Sequence, residues 1–209
     1  MSSTAYLKRP AEEILFYSQE TPEPIRQLEE NGDDRKIQVG RILKETKKDL
    51  PRLSREEYVR LLSAARSKGR QRVYLVMKTL ASTGIMMEDL PSLTVEAVRK
   101  GYLELPRVWV VIPDFLRREL LEYAAKKGIT TGMVFQTRGG KAIDRSNLNH
   151  EVKALSAEAN IPEEKCNPRC LRQLYQQTQK SIRDDVEILV EREFRRILEN
   201  EQAVIGWDA

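Results

Sequence analysis

Two arginines, Arg169 and Arg172, are the residues of this chain best placed for chemistry on an anion. They follow Asn167-Pro168, and proline suits the first position of a helix while asparagine suits the N-cap. Residues three apart are neighbours on a helix surface. The first helical turn also presents free backbone N–H groups and the positive end of the helix dipole. The spacing therefore predicts that both guanidinium groups hold a phosphate at a helix N-terminus.

The alternative for this pair is a structural one, in which the arginines form ion pairs with Glu163 or Glu164. A second basic stretch lies just upstream, where Arg138, Lys141 and Arg145 surround two glycines. Glycine permits close approach of a backbone to a ligand, so these cations are further candidates for phosphate contact. An ordinary basic surface loop explains the same composition.

The length, composition and net charge of the chain limit the classes of function that it can have. The chain has 209 residues, 40% of them hydrophobic and 33% charged, with a net charge of +4. This charge permits nucleic-acid binding, although a solvated lysine and glutamate surface explains it equally. No apolar run approaches the roughly 18 residues of a membrane span, and the first ten residues lack the apolar core of a secretory signal. We therefore expect a cytoplasmic protein with no membrane contact.

Cysteine and histidine usage argues against a metal site. The chain has two cysteines, Cys166 and Cys170, and a single histidine, so a Cys/His zinc site is excluded. The spacing of four residues on a helix is poor for a disulfide, and we expect two reduced thiols. No metal and no cofactor is predicted.

The chain divides at about residue 50. Residues 1–50 predict a thin N-terminal segment, with short helices at Ala11–Ser18 and Asp33–Lys48, that forms a helical arm or a remnant of a DNA-clamp domain. Residues 51–209 predict the main domain. It begins at the capping box Ser54–Glu57, where serine is the N-cap and glutamate occupies the third helical position.

The main domain predicts an α+β fold, mainly α with a small antiparallel sheet. The sheet is expected from the runs 102–105 and 108–112, with a third short strand at 133–135. Helices are expected at 55–67, 72–82, 86–93, 113–127 and 144–159, then at the Asn167 cap, and finally as a separate amphipathic helix at 184–202.

This order of elements resembles the catalytic domain of tyrosine recombinases, the phage-integrase family, over about residues 50–198. Six phrases carry the resemblance in the same order and with similar gaps: Leu53–Glu57, Ala81–Leu90, Ser92–Thr94, Ile112-Pro113, Val134–Ile143 and Pro168–Tyr175. The resemblance implies a tyrosine-recombinase-like domain. In the family a tyrosine attacks a DNA phosphodiester, two arginines neutralise the phosphate, a lysine acts as general acid, and two further residues, usually histidines, assist.

Position by position, the family residues are mostly replaced. The second arginine is matched by Arg172, which is the one surviving catalytic position. The other positions are substituted: the first arginine by Met86, the first histidine by Arg169, the second by Gln173 and the nucleophile by Leu198. The turn that carries the lysine is reduced to Pro106-Arg107. Arginine stays protonated and is a poor general acid, so Arg107 is predicted as a DNA contact instead.

The resemblance and these losses together predict a protein that binds double-stranded DNA and is unable to cleave it, acting at recombination or regulatory sites of a mobile element. Self-association, or pairing with an active recombinase through the C-terminal helix, is a further expectation. One alternative is a protein-interaction module that oligomerises through the C-terminal helix, where Trp207 is either an interface anchor or a residue that fills the core. Another is an active recombinase with a displaced nucleophile such as Tyr175, after which no tyrosine follows.

Overall fold

The computed structural model describes residues 36–37 (backbone only), 51–106, 108–137 and 139–206. Seven α-helices lie within these ranges: α1 (Arg55–Ser67), α2 (Gln71–Thr83), α3 (Val95–Lys100), α4 (Asp114–Lys126), α5 (Arg145–Lys153), α6 (Ser156–Ala159) and α7 (Pro168–Ile205). There are also two 3-10 helices, at Met87–Ser92 and Glu163–Lys165, and three strands, β1 (Lys36–Ile37), β2 (Tyr102–Leu105) and β3 (Val108–Val111). The predicted class, mainly α with a small antiparallel sheet, is confirmed.

The capping box predicted at the start of α1 is present. The Ser54 hydroxyl accepts the Glu57 N–H at 3.1 Å, and the Glu57 carboxylate accepts the Ser54 N–H at 2.8 Å. The Glu57 carboxylate also accepts from Lys165 Nζ at 2.7 Å. This cap therefore fixes α1 and also ties it to the 3-10 helix that precedes α7.

The sheet is small and mixed. β2 and β3 pair antiparallel with Tyr102 opposite Val111 and Leu105 opposite Val108, as the alternating runs predict. β1 pairs parallel with the other edge of β3, so the helix predicted over 33–48 is wrong at Lys36–Ile37. The third strand predicted at 133–135 is also wrong, because that segment makes only one isolated bridge, between Met133 and Thr94. A two-residue edge strand is too short to show a period in sequence.

One core holds the helices and the sheet together. α2 packs against α1, α4, α5 and α7, while α3 packs on α4. The largest fully buried side chains come from residues 53–148: Phe135, Leu53, Leu61, Leu75, Met77, Leu80, Leu93, Leu103, Leu116, Leu120 and Leu148. Burial of this set in one cluster supplies the main driving force for folding.

The last helix differs from its prediction. The segment that begins at Pro168 and the amphipathic segment at 184–202 are one continuous helix of 38 residues. No glycine or proline stands between Arg169 and Ile205, so nothing in the chain interrupts the helix. The helix predicted over 144–159 is instead divided into α5 and α6, with Asp144 as the N-cap of α5.

Some predictions fall on residues that the structure does not describe: the helix at 11–18, the side chains of Arg107 and Arg138, and Trp207. The division into an arm of residues 1–50 and a main domain stays a prediction. None of the helices in the described ranges combines the length and the apolar composition that a membrane crossing requires.

Candidate functional site

The start of α7 is built as its sequence predicts. Asn167 is the N-cap, and its side-chain oxygen accepts the Cys170 N–H at 3.0 Å. Pro168 occupies the first helical position, where a missing N–H costs nothing. The helix therefore presents a capped, positively polarised N-terminus at this point.

Arg172 is turned towards the end of α2. Its Nε donates a hydrogen bond to the Gly84 carbonyl at 2.9 Å, and the side chain is half-buried. Gly84 has a left-handed backbone, with φ of +68°, and ends α2. The ring of Tyr175 lies directly against Gly84. Arg172 thus links α7 to the C-terminal end of α2.

Arg169 points elsewhere, into a surface groove of about 600 Å³ between the beginnings of α5 and α7. Its side chain is exposed and makes no ion pair or hydrogen bond with any described residue. The groove is lined by Pro51, Asp144, Arg145, Ser146, Asn149, Lys153, Glu164, Asn167, Pro168, Arg169, Cys170 and Gln173. The sequence predicts that Arg169 and Arg172 hold one phosphate together, but in the structure the two side chains lie in different surroundings.

The groove carries three cations on two helices. Arg145 pairs with Glu88 at 2.9 Å and Lys153 pairs with Glu163 at 3.1 Å, and both pairs are solvent-exposed. Exposed pairs of this kind contribute little, about 0 to 1 kcal/mol, so an anion can compete for the cations. Asp144 is occupied as the α5 cap, accepting the Asn147 N–H at 3.1 Å. The groove is suited to an anion beside two helix N-termini.

The groove has no activated thiol. The Cys170 Sγ–H donates to the Pro51 carbonyl at 3.1 Å, and burial raises the pKa of this thiol. Burial also raises the pKa of the Cys166 thiol to about 11. Both cysteines are free, as expected, and both remain protonated at neutral pH, whereas thiol chemistry needs a thiolate. Across the described ranges, no cluster of three or more His, Cys, Asp or Glu is placed to hold a metal ion.

The remaining predicted positions are dispersed. Met86 is exposed and lies two residues beyond Gly84, the residue that accepts the Arg172 hydrogen bond. Gln173 lines the groove, and its buried Oε1 has no hydrogen-bond partner among the described residues. Lys141 is exposed on its loop, outside the groove lining. Leu198 lies 26 residues beyond Arg172 on the same helix, about 39 Å away at 1.5 Å per residue.

Sequence reasoning missed Asn149 and Lys153. They line the groove together with Arg145, and the three stand at a spacing of four along α5. Residues four apart share a helix face. This spacing is visible in the sequence and is the signal that identifies one polar, basic face of α5 directed at the N-terminus of α7.

Comparisons with known proteins identify the fold. No protein-family model matches the sequence, and no curated protein matches it. The crystal structure of XerA recombinase is similar, with a TM-score of 0.52 and 20% identity over 64% of this chain and 50% of that chain. The XerH site-specific recombinase was solved with its difH substrate in a pre-cleavage complex. Its comparison with this chain gives a TM-score of 0.49 and 18% identity, over 67% of this chain and 47% of that chain. This chain spans about half the length of either structure.

The likeness to XerA at this identity establishes the fold. The main body of the chain has a tyrosine-recombinase-like fold, as the six sequence phrases predict.

Proposed function

We propose that this protein binds double-stranded DNA through the groove of α5 and α7 and does not cleave it. The observation that supports this proposal is the grouping of Arg145, Lys153 and Arg169 around one groove, with Arg145 and Arg169 at the N-termini of α5 and α7. Phosphate oxygens are the usual partners of such cations and of the N–H groups at a helix start. The recombinase-like fold makes DNA the expected phosphate ligand.

Three features support the absence of cleavage. Tyr175 is only 8% exposed and is packed against Gly84, so its hydroxyl is poorly placed to attack a DNA strand. The position matched to the nucleophile is Leu198, about 39 Å along α7 from Arg172. Met86 provides no charge for a phosphate. Loss of single members of a catalytic set that acts as a unit lowers rates by orders of magnitude.

A role follows from binding without cleavage. The protein would occupy a recombination or regulatory site of a mobile element in the cytoplasm, or modulate an active recombinase at that site. The two free, buried thiols are compatible with a reducing compartment.

Binding is tested by fluorescence anisotropy on a labelled random duplex of about 30 base pairs, titrated at several salt concentrations. We expect affinity to fall steeply with salt, because each phosphate contact releases counterions. Arg169→Ala should weaken binding to all sequences and reduce the log–log salt slope by about 1. Arg118→Ala is the matched control, since Arg118 is exposed on α4 and outside the groove. No binding at 50 mM salt contradicts the proposal.

The second half of the proposal has a separate test. A nicked suicide duplex traps a covalent protein–DNA adduct if any tyrosine attacks it. We expect no adduct on denaturing gels. An adduct that disappears in Tyr175→Phe would establish a displaced nucleophile, and the protein would then be an active recombinase.

A second candidate function, self-association, is favoured by the distal part of α7. Ten large apolar side chains are exposed between Ile182 and Ile205. Monomeric proteins rarely leave so many apolar groups on one element uncovered. We propose that this part of α7 joins copies of the chain. Light scattering over a concentration series measures the mass directly, and a monomer at every concentration would contradict self-association.

A further inference from the structure

The distal part of α7, residues 181–205, carries one continuous apolar ridge. Ile182, Val186, Val190, Phe194 and Leu198 follow each other at a spacing of four, and each is 45% to 63% exposed. Side chains at this spacing form the ridge that packs into the groove of a neighbouring helix in the commonest class of helix pairs. The distal part of α7 thus has the surface of a helix that packs on another helix.

The main body packs on the opposite side of α7 from the middle of this ridge. Continued backwards in steps of four, the ridge passes through Thr178 to the buried Leu174. Each step of four residues turns about 40° around the helix axis, so Val190 faces about 160° away from Leu174. Nothing in the described part of the chain packs on Val190, which is 63% exposed. A cover for the ridge must therefore approach from outside the body.

The charges in the middle of the distal part of α7, residues 184–196, form two blocks of opposite sign, with Arg183 before them and Glu199 and Glu201 after them. Residues 184–191 contain four acids and no Lys or Arg: Asp184, Asp185, Glu187 and Glu191. Residues 192–196 contain three arginines and Glu193, and that glutamate is paired with Arg196 at 2.6 Å. The boundary between the blocks lies next to Val190, at the middle of the ridge. A second copy running in the opposite direction would set each acidic block against a basic one.

We infer that two copies of this chain pair through the distal part of α7, in a symmetric antiparallel crossing centred near Val190. This inference rests on the proposed self-association and specifies its geometry. The ridge of each copy packs into the groove beside the ridge of the other. Because the interface is isologous, Val190 lies on or beside the two-fold axis and meets Val190 of the second copy.

Space also favours the antiparallel direction. The body ends near Lys180, ten residues before Val190, and helices packed by such ridges cross at about 50° with axes about 9 Å apart. With a rise of 1.5 Å per residue, Lys180 lies about 15 Å along the helix from the crossing at Val190. At Lys180 a parallel crossing leaves about 16 Å between the two helix axes, and an antiparallel crossing leaves about 29 Å. A body of about 130 residues is roughly 35 Å across. Only the antiparallel crossing separates the two bodies by nearly their own width.

The test uses one introduced thiol in the full-length chain. The native cysteines are buried, with Cys166 at 0% and Cys170 at 2% exposure. In the Val190→Cys variant the introduced thiol is therefore the accessible one. Ser181→Cys is the matched control, because Ser181 is exposed on α7 and lies nine residues earlier, half a turn round the helix. After mild oxidation we expect at least about tenfold more disulfide-linked dimer for Val190→Cys, since only there do the two Cα atoms come within bonding range.

The possible outcomes separate the geometry from the self-association. A dimer by light scattering that gives no Val190→Cys cross-link, or that cross-links equally through Ser181→Cys, overturns the antiparallel crossing while self-association stands. A higher oligomer without the cross-link identifies docking of α7 on the body of another copy. A monomer for both variants under reducing conditions overturns self-association and the crossing together.

Discussion

At the scale of single residues, Gly84 joins the two helices that carry the recombinase-like phrases. Its carbonyl accepts from Arg172 at 2.9 Å, and its missing side chain leaves room for the Tyr175 ring. An added Cβ would clash with Cδ1 of Tyr175. The position also needs a left-handed backbone, with φ of +68°. The hydrogen bond between Arg172 and Gly84 therefore has a structural role, because it joins α7 to the end of α2.

The contacts of Gly84 predict the effect of a single methyl group. Gly84→Ala should lower the free energy of unfolding by about 3 kcal/mol, because left-handed strain adds to a clash with a buried ring. Gly69→Ala is the control: Gly69 has φ of +62° and nothing within 4 Å of the added Cβ. It should cost only about 1 kcal/mol, from strain alone. Urea unfolding measures both, and equal losses would show that Tyr175 moves aside freely.

At the scale of elements, the start of α1 is a junction between two parts of the chain. Glu57 caps α1 through Ser54 and pairs with Lys165 at 2.7 Å. Burial raises the pKa of the Glu57 carboxyl, but the Lys165 and Ser54 hydrogen bonds outweigh burial and hold it below 4.5. The charged carboxylate is thus the form that the fold stabilises.

This lowered pKa predicts a pH-dependent contribution to stability. The contribution is present above the unfolded pKa, near 4.5, and is lost as the pH falls through the lower folded pKa. Glu57→Gln should therefore lower the unfolding free energy by about 1 kcal/mol at pH 7 and by much less at pH 3. Urea titrations at the two pH values measure this difference, and Glu122→Gln, at an exposed position of α4, is the surface-charge control. A loss that is the same at both pH values would refute the role of the charge.

At the scale of the whole molecule, α7 has two parts, of which the first is packed in the core and the second is exposed. Its buried residues are Cys170, Leu171, Leu174 and Tyr175, all within the first eight positions. From Lys180 onwards nearly every side chain is exposed. The first part completes the core against α2, and the second part extends beyond the body.

This division predicts that the second part is dispensable for folding. A chain that ends after Lys180 should unfold with a free energy within about 1 kcal/mol of the full-length value, because it keeps every buried residue of α7. It should also keep the groove and DNA binding, while losing self-association. A chain that ends after Pro168 lacks Leu171, Leu174 and Tyr175 and should fail to fold. Circular dichroism and urea unfolding distinguish these outcomes, and unfolding of the longer chain would contradict the division.

Local signals in the sequence were sufficient for many elements. The Ser54 capping box, the Asn167 cap followed by Pro168, and the alternating strands β2 and β3 all depend on residues within a few positions of each other. Such patterns act before any long-range packing, and for that reason they can be read from the chain. The order of these elements also carried the resemblance that the fold of XerA supports.

Only the tertiary structure decided which way the important side chains point. Arg169 and Arg172 are three positions apart, yet one lines a groove with Arg145 and the other bonds to Gly84, 88 residues earlier. The pairing of β1 with β3 and the solvent exposure of distal α7 are decided in the same way. These features depend on contacts between residues far apart in the chain. Periodicity and capping describe one segment at a time and carry no information about which other segment it meets.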